Sequence, residues 1–123
     1  MLQGLRTIIY PVTDLARARE WYSTLLGQQP YFDQPFYVGF EVGGFELGLD
    51  PNGVSAPAAG GPVTYWGVTD IEAAFRRLGE LGAGEHSPVA DVGDAIKVAV
   101  VTDPFGNALG IIQNPHFSPE KVR

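Results

Sequence analysis

The chain has no cysteine, and this absence excludes disulfide bonds, thiolate metal sites and a cysteine nucleophile. Basic residues are also scarce, with 8 Lys and Arg against 14 Asp and Glu and a net charge of −6. No basic stripe is present, so nucleic acid is not an expected partner. The acidic composition instead favours cationic ligands over anionic ones.

Long hydrophobic runs are missing as well. The longest apolar stretches have the length of a strand, such as residues 98–101, and the N-terminal sequence lacks the basic and apolar blocks of a signal peptide. We therefore expect a cytoplasmic protein without a membrane partner. The 123 residues are enough to form one compact domain with its own core.

One segment occurs twice, as VTDLARAREWYSTLLG at 12–27 and as VTDIEAAFRRLGELGA at 68–83. In each copy an aspartate, Asp14 or Asp70, stands where a helix N-cap belongs. Apolar residues then recur every three or four positions, which is typical of a helix with one buried side. The repeat therefore predicts two amphipathic helices, one after each aspartate.

Strand-like segments surround the two predicted helices in the same order. One β-branched or aromatic segment precedes each helix, and three more follow it. They lie at 7–10, 31–32, 36–42 and 45–49 in the first half, and at 63–68, 87–92, 95–102 and 108–113 in the second. The segment 51–62 is rich in Pro, Gly and Ala, as linkers often are.

The order of one strand, one helix and three strands in each half predicts an α+β fold of two βαβββ modules. Each helix covers one face of a small sheet, so the two free faces are expected to curve into an open, barrel-like cleft. The predicted boundaries within one domain are 1–50 for the first module, 51–62 for the linker, 63–115 for the second module and 116–123 for a tail.

Four segments, TIIYPVTDLARAREWYSTLLG, FELGLDP, YWGVTDIEAAFRRLGELGA and DPFGNALGIIQNP, resemble the vicinal oxygen chelate superfamily. This superfamily includes glyoxalase I, extradiol dioxygenases, and fosfomycin- and bleomycin-resistance proteins. The resemblance implies the glyoxalase/bleomycin-resistance fold and a homodimer. It implies much less about function, because the fold hosts unrelated chemistries.

Metal-dependent members of this superfamily carry a His or Gln in the first strand of each half, and a Glu or His in the last strand. The resemblance places these four positions on Thr7, Val63, Glu46 and Gly110. Only Glu46 has a metal-ligating side chain, and a lone carboxylate is not a metal site. We therefore expect no metal or other cofactor, unless an atypical site joins Glu46 to a histidine of another subunit.

Strand alternation predicts that Glu46 faces the cleft while Phe45 and Leu47 face the helix. Two interpretations of Glu46 are open. In one, it acts as a general base or as the counter-charge of a cationic ligand in the cleft. In the other, it is an ordinary exposed or hydrogen-bonded strand carboxylate at the cleft rim. The same alternation predicts a set of ligand-binding residues on the free faces: Thr7, Ile9, Glu46, Gly48, Val63, Tyr65, Gly110 and Ile112.

Other residues carry weaker signals. Trp66 is predicted to fill the core while Tyr65 lines the cleft. Some of the aromatic side chains of segment 30–40 are expected at the cleft mouth, where a planar or amphipathic ligand would contact them. His86 and His116 lie outside the four family positions and are interpreted as surface or packing residues.

The leading interpretation is a metal-independent protein of the bleomycin-resistance type that binds a small organic ligand, cationic or aromatic in character. The alternative is a glyoxalase-like lyase or isomerase, or an enzyme related to the dioxygenases. It would use Glu46 as base or have an atypical metal site. A third hypothesis is a regulatory or partner-binding module that keeps only the fold. The sequence identifies neither the ligand nor a reaction.

Overall fold

The computed structural model describes residues 3–52 and 63–122, which fall into two compact units: residues 3–52 with Val122, and residues 63–121. The linker predicted at 51–62 therefore lies mostly outside the described residues. The elements of the first unit are β1 (Thr7–Pro11), α1 (Leu15–Leu26), β2 (Phe32–Gln34), β3 (Tyr37–Val42) and β4 (Phe45–Asp50).

The second unit repeats this order. Its elements are β5 (Thr64–Gly67), α2 (Ile71–Glu80), β6 (Gly84–Asp91), β7 (Lys97–Thr102), β8 (Ala108–Gln113) and a short 3-10 helix, Pro119–Lys121. The two predicted βαβββ modules and the α+β class are therefore confirmed. The boundary of β7 differs from its prediction because Asp94 and Ala95 adopt positive φ angles in the turn before it.

Both helices begin at the predicted N-caps. The carboxylate of Asp14 accepts a hydrogen bond from the backbone N–H of Arg17, at 3.1 Å, and Asp70 accepts one from Ala73, at 3.2 Å. Each bond satisfies a helical N–H that has no partner within the helix. Helix α1 ends at Gly27, whose φ of 67° is the left-handed conformation that glycine adopts without strain.

The two sheets have equivalent topologies. Strand order is β1-β4-β3-β2 in the first sheet and β5-β8-β7-β6 in the second. In each, the strand before the helix runs parallel to the last strand of its module, and the other pairs are antiparallel. Each sheet is an open four-stranded layer with one helix packed on it.

Strand alternation decides which face of each sheet becomes core. In the first unit, α1 buries Ala18 and Tyr22 on the sheet, and the buried apolar strand residues of this face are Tyr10, Val38, Phe40, Leu47 and Leu49. In the second unit, α2 buries Ile71 and Leu78, and the buried strand residues include Ala99, Val101, Leu109 and Ile111. The residues between these positions point to the opposite faces.

Within 3–52 and 63–122, neither helix has the length and apolar character needed to cross a lipid bilayer.

The turn 103–107 is organised by one buried carboxylate. Asp103 is 3% exposed and accepts hydrogen bonds from the backbone N–H groups of Phe105 and Asn107, at 2.9 and 2.8 Å. It also accepts one from the Asn107 side-chain amide, at 3.0 Å. These bonds hold the chain reversal between β7 and β8.

We expect Asp103→Ala to lower the free energy of unfolding by about 2–4 kcal/mol, because it removes the acceptor of three hydrogen bonds within this turn. Asp70→Ala is the matched control in the same unit. It removes one exposed cap bond and is expected to cost about 1 kcal/mol. Urea unfolding followed by circular dichroism measures both values, and equal losses would contradict a structural role for Asp103.

Candidate functional site

Glu46 lies on the face of the first sheet that α1 does not cover. Its neighbour Leu47 is fully buried against the helix side, so strand alternation directs the Glu46 side chain to the opposite face. This confirms the predicted orientation of Glu46 away from α1. We call this uncovered face of strands β1–β4 the Glu46 face.

Two tyrosines hold the carboxylate of Glu46. The hydroxyl of Tyr37 donates to Oε2 at 2.6 Å, and the hydroxyl of Tyr31 donates to Oε1. A phenol donating to an ionised carboxylate makes a strong, charge-assisted hydrogen bond. Each carboxylate oxygen still has a free lone pair, so Glu46 is oriented by the tyrosines and remains able to accept from a ligand.

Two glycines give the tyrosines room to lie on the sheet. Gly39 and Gly48 are directly opposite each other in the β3–β4 pair. A Cβ on Gly48 would overlap the Tyr37 hydroxyl and lie 2.9 Å from a carbon of its ring, and one on Gly39 would lie 3.3 Å from the Tyr31 ring. The two phenol rings therefore rest on bare backbone beside Glu46, and at Gly48 the approach is too close for any residue with a Cβ unless Tyr37 moves.

The Glu46 face carries negative charge. Strand alternation and register place Glu41, Glu46 and Asp50 on it, and Glu41 is directly opposite Glu46. None of the strand positions on this face is a Lys or Arg. The face therefore attracts a cation and repels an anion.

Both tyrosines are kept in the protonated state. The hydrogen bond to Glu46 raises the pKa of Tyr31 above its ordinary value of 10.0, and burial and negative charge add to the effect. Burial raises the pKa of Tyr37 further, with contributions from the hydrogen bond and from the charge of Glu46. Both phenols are therefore neutral donors throughout the physiological pH range.

Titration of the tyrosines is a direct test of this arrangement. Because these two pKa values are raised on folding, their contribution to stability is complete below about pH 10 and is lost as the pH rises further. We expect ultraviolet titration of the wild-type protein, compared with Tyr31→Phe and Tyr37→Phe to assign the two phenols, to show that both ionise above their ordinary range. In Glu46→Gln, which removes the charge and keeps the shape, both should ionise at lower pH. Unchanged titration curves would show that Glu46 does not hold the phenols.

The structure brings together the predicted site residues of the first half. Thr7 pairs with Glu46, and Ile9 pairs with Gly48, across the parallel β1–β4 ladder. The sequence predicts only that some aromatic side chains of segment 30–40 lie at the cleft mouth, and it does not connect Tyr31 or Tyr37 to Glu46. A signal for Tyr37 was present, because a tight Gly43-Gly44 turn fixes the hairpin register and places Tyr37, Gly39 and Gly48 on one face.

The predicted residues of the second half form a separate set on the second sheet. Tyr65 pairs with Gly110, and a Cβ on Gly110 would lie 2.6 Å from the Tyr65 ring. Tyr65 is exposed, whereas its neighbour Trp66 is half-buried and pairs with the core residue Ile111. The remaining members, Val63 and Ile112, are half-buried.

The register shows how the two halves correspond. Ile9 pairs with Gly48, and Tyr65, which lies 56 residues after Ile9, pairs with Gly110. Gly110 is therefore the pairing counterpart of Gly48. The counterpart of Glu46, two residues earlier in the strand, is Ala108. The resemblance had placed this position on Gly110, and neither residue has a side chain that binds metal.

The donor set does not fit the metal that members of this fold often hold. Thr7 offers one hydroxyl beside Glu46, and both Glu46 oxygens already accept from phenols. In the described part of the chain, no three His, Cys, Asp or Glu residues are grouped as metal ligands. His86 lies exposed in β6, and the His116 ring lies 2.8 Å from the backbone carbonyl of Asp94.

Comparison with known proteins agrees with this fold. The sequence matches the family described as Glyoxalase/Bleomycin resistance protein/Dioxygenase superfamily over residues 4–111. The protein named "Putative glyoxylase CFP32" of Mycobacterium bovis is 31% identical over 120 residues, which cover 89% of this chain and 46% of that protein. The chain therefore spans less than half the length of this curated relative.

Two solved structures have the same fold. A glyoxalase-related enzyme from Fulvimarina pelagi has a TM-score of 0.73 at 22% identity, covering 93% of this chain and 90% of that one. Lactoylglutathione lyase from Agrobacterium tumefaciens has a TM-score of 0.74 at 16% identity, covering 96% and 100%. The family match over most of the sequence, and the two βαβββ modules, show that the chain belongs to the Glyoxalase/Bleomycin resistance protein/Dioxygenase superfamily.

Proposed function

We propose that the protein binds a small organic ligand without a metal, on the Glu46 face of its first sheet. The observation that carries this proposal is the carboxylate of Glu46, held at both oxygens by the hydroxyls of Tyr31 and Tyr37. A carboxylate fixed by neighbouring donors is pre-organised, so a ligand does not have to order it on binding.

The chemistry of the face indicates the ligand class. A positively charged or hydrogen-bond-donating group would meet Glu46, because the face carries carboxylates and its strand positions hold no basic residue. A flat apolar part would lie against the exposed ring of Tyr31. The ligand is thus a cationic, partly aromatic compound, and nucleic acid is not proposed as a partner.

The second candidate function is a glyoxalase-like lyase or isomerase with Glu46 as general base. It is favoured by the name of the relative that is 31% identical. As base, Glu46 would take a proton with a lone pair that the phenols leave free. Turnover of an α-carbonyl or epoxide substrate that is abolished by Glu46→Ala would support this candidate over binding alone.

We propose a cytoplasmic homodimer, as the resemblance of the repeated segments to the superfamily implies. Sedimentation equilibrium at several protein concentrations measures the state of association. A monomer at all concentrations would contradict the homodimer and would leave the Glu46 face unaffected, because that face is built within one unit.

A ligand screen on metal-free protein tests the proposed function. The protein is dialysed against a chelator and screened by ligand-detected nuclear magnetic resonance with small aromatic compounds in matched cationic, neutral and anionic forms. We expect the hits to be predominantly cationic and to be lost in Glu46→Gln. Hits of all three charges, or hits that Glu46→Gln leaves unchanged, would contradict the proposal.

A further inference from the structure

An exposed aromatic cluster lies beside Glu46, outside the contacts that hold its carboxylate. The ring of Phe32 contacts the rings of Phe36 and Tyr37 edge to face, with centroid distances of 6.0 and 6.1 Å. Phe36 is 61% exposed and Phe32 is 37% exposed. We call Phe32, Phe36 and Tyr37 the ring cluster.

The ring cluster is continuous with the Glu46 face. Phe32 is directly opposite Gly39 in the β2–β3 pair, and Tyr37 donates to Glu46. The next residue of β2, Asp33, points to the other side, where Arg19 of α1 pairs with it at 3.3 Å. The alternation therefore directs Phe32 away from the helix and leaves ring surface uncovered next to a carboxylate.

This combination of groups selects one ligand chemistry. The faces of aromatic rings carry partial negative charge and attract a cation, most strongly one with a weakly bound hydration shell. An anion would be repelled by Glu41, Glu46 and Asp50, and a hydrated metal ion would find no ligating atoms on the phenylalanine rings. An alkylated ammonium group contacts rings through its methyl groups and satisfies the carboxylates by its charge.

We propose that the ring cluster and Glu46 together form a subsite for a tertiary or quaternary ammonium group. This inference rests on the proposed function and specifies its ligand: the ammonium group lies against the exposed rings, and Glu46 supplies the counter-charge. Tyr37 belongs to both parts, because its ring is in the cluster and its hydroxyl orients Glu46.

The test uses choline and its neutral isostere, in which a tert-butyl group replaces trimethylammonium. Each is titrated into nitrogen-15-labelled full-length protein, and amide shifts of β2 and β3 are followed. We expect choline to shift these signals and the isostere to bind at least about threefold more weakly, since only the charge differs. Equal binding of the two compounds would overturn the proposal.

Two variants locate the effect. Phe36→Leu keeps an apolar side chain but removes the ring, and we expect it to weaken choline binding about threefold to tenfold. Phe117→Leu is the matched control, because Phe117 is 64% exposed in the C-terminal tail, outside the cluster. Equal choline affinity in Phe36→Leu and wild type would overturn the ring cluster as a subsite.

The remaining outcomes separate this inference from the proposed function. If choline does not bind, but other cations bind wild type and fail to bind Glu46→Gln, the ammonium subsite is overturned. The proposed function of Glu46 is then unaffected. If a second copy of the chain covers the rings, choline would not bind and Phe36→Leu would shift the sedimentation equilibrium. That result would overturn the subsite as well and would assign the ring cluster to an interface.

Discussion

Glu46→Gln is expected to weaken the binding of cationic ligands that donate to this carboxylate about 10- to 100-fold, equivalent to about 1.5–3 kcal/mol for a lost charge-assisted hydrogen bond. Glutamine keeps the size of glutamate and its capacity to accept from one phenol. It removes the negative charge that a cation would meet on this face. Isothermal titration with each cation that binds wild-type protein measures the loss.

Glu85→Gln is the matched control for this prediction, because Glu85 is an exposed strand residue of the other unit and undergoes the same chemical change. Its effect on affinity should be within error of zero. If both variants lose affinity equally, the effect comes from the overall charge of the protein and not from Glu46. If neither variant loses affinity, the cation-binding site does not include Glu46.

Gly48→Val is expected to lower the free energy of unfolding by about 3 kcal/mol and to abolish ligand binding. A side chain at this position overlaps the hydroxyl and ring of Tyr37. Tyr37 must then rotate away from the sheet, which removes its hydrogen bond to Glu46. Chemical unfolding and ligand titration of the same preparation measure the two effects.

Gly67→Val supplies the comparison. Gly67 also lies in a strand, and a Cβ there would meet no atom within 4 Å. Its unfolding free energy should change by no more than about 0.5 kcal/mol, as is usual for exposed positions. A similar loss in both variants would mean that valine is tolerated poorly in either sheet for a general reason, and that the Tyr37 contact is not decisive.

The sequence predicts the fold well because its determinants are local. Asp14, Asp70 and the apolar spacing after them specify both helices, and alternation within FELGLDP specifies that Glu46 points away from α1. These features need only the helical period of 3.6 residues, the strand period of two and the capping rules.

The hydrogen bonds of the site are harder to predict because they join separate elements. Tyr31 precedes β2, at a position where no strand period specifies its direction, yet its hydroxyl reaches Glu46, 15 residues later. Tyr37 follows from the β3–β4 register, but only once the Gly43-Gly44 turn is taken to fix that register. Long-range contacts of this kind depend on pairings that periodicity alone does not determine.

The correspondence between the two halves shows the same limit. The helical repeat relates Ile9 to Tyr65 with an offset of 56 residues, whereas the last strands are related by an offset of 62, from Gly48 to Gly110. The resemblance matches Glu46 with Gly110, an offset of 64, which is two residues more than the register gives. An error of two residues keeps a side chain on the same face of the strand but moves it along the strand. The resemblance therefore assigns Gly110 to the correct face of its strand, but the counterpart of Glu46 is Ala108, two residues earlier.

Metal binding to the purified protein shows whether the carboxylate of Glu46 is held by the phenols of Tyr31 and Tyr37 or by a metal ion. Tag-free wild type and Glu46→Ala are dialysed against nickel, zinc, manganese and iron(II), and their metal content is determined by elemental analysis. We predict no excess of metal in wild type over the variant, with ligand binding intact after chelation. Stoichiometric metal in wild type that is lost in Glu46→Ala would contradict it.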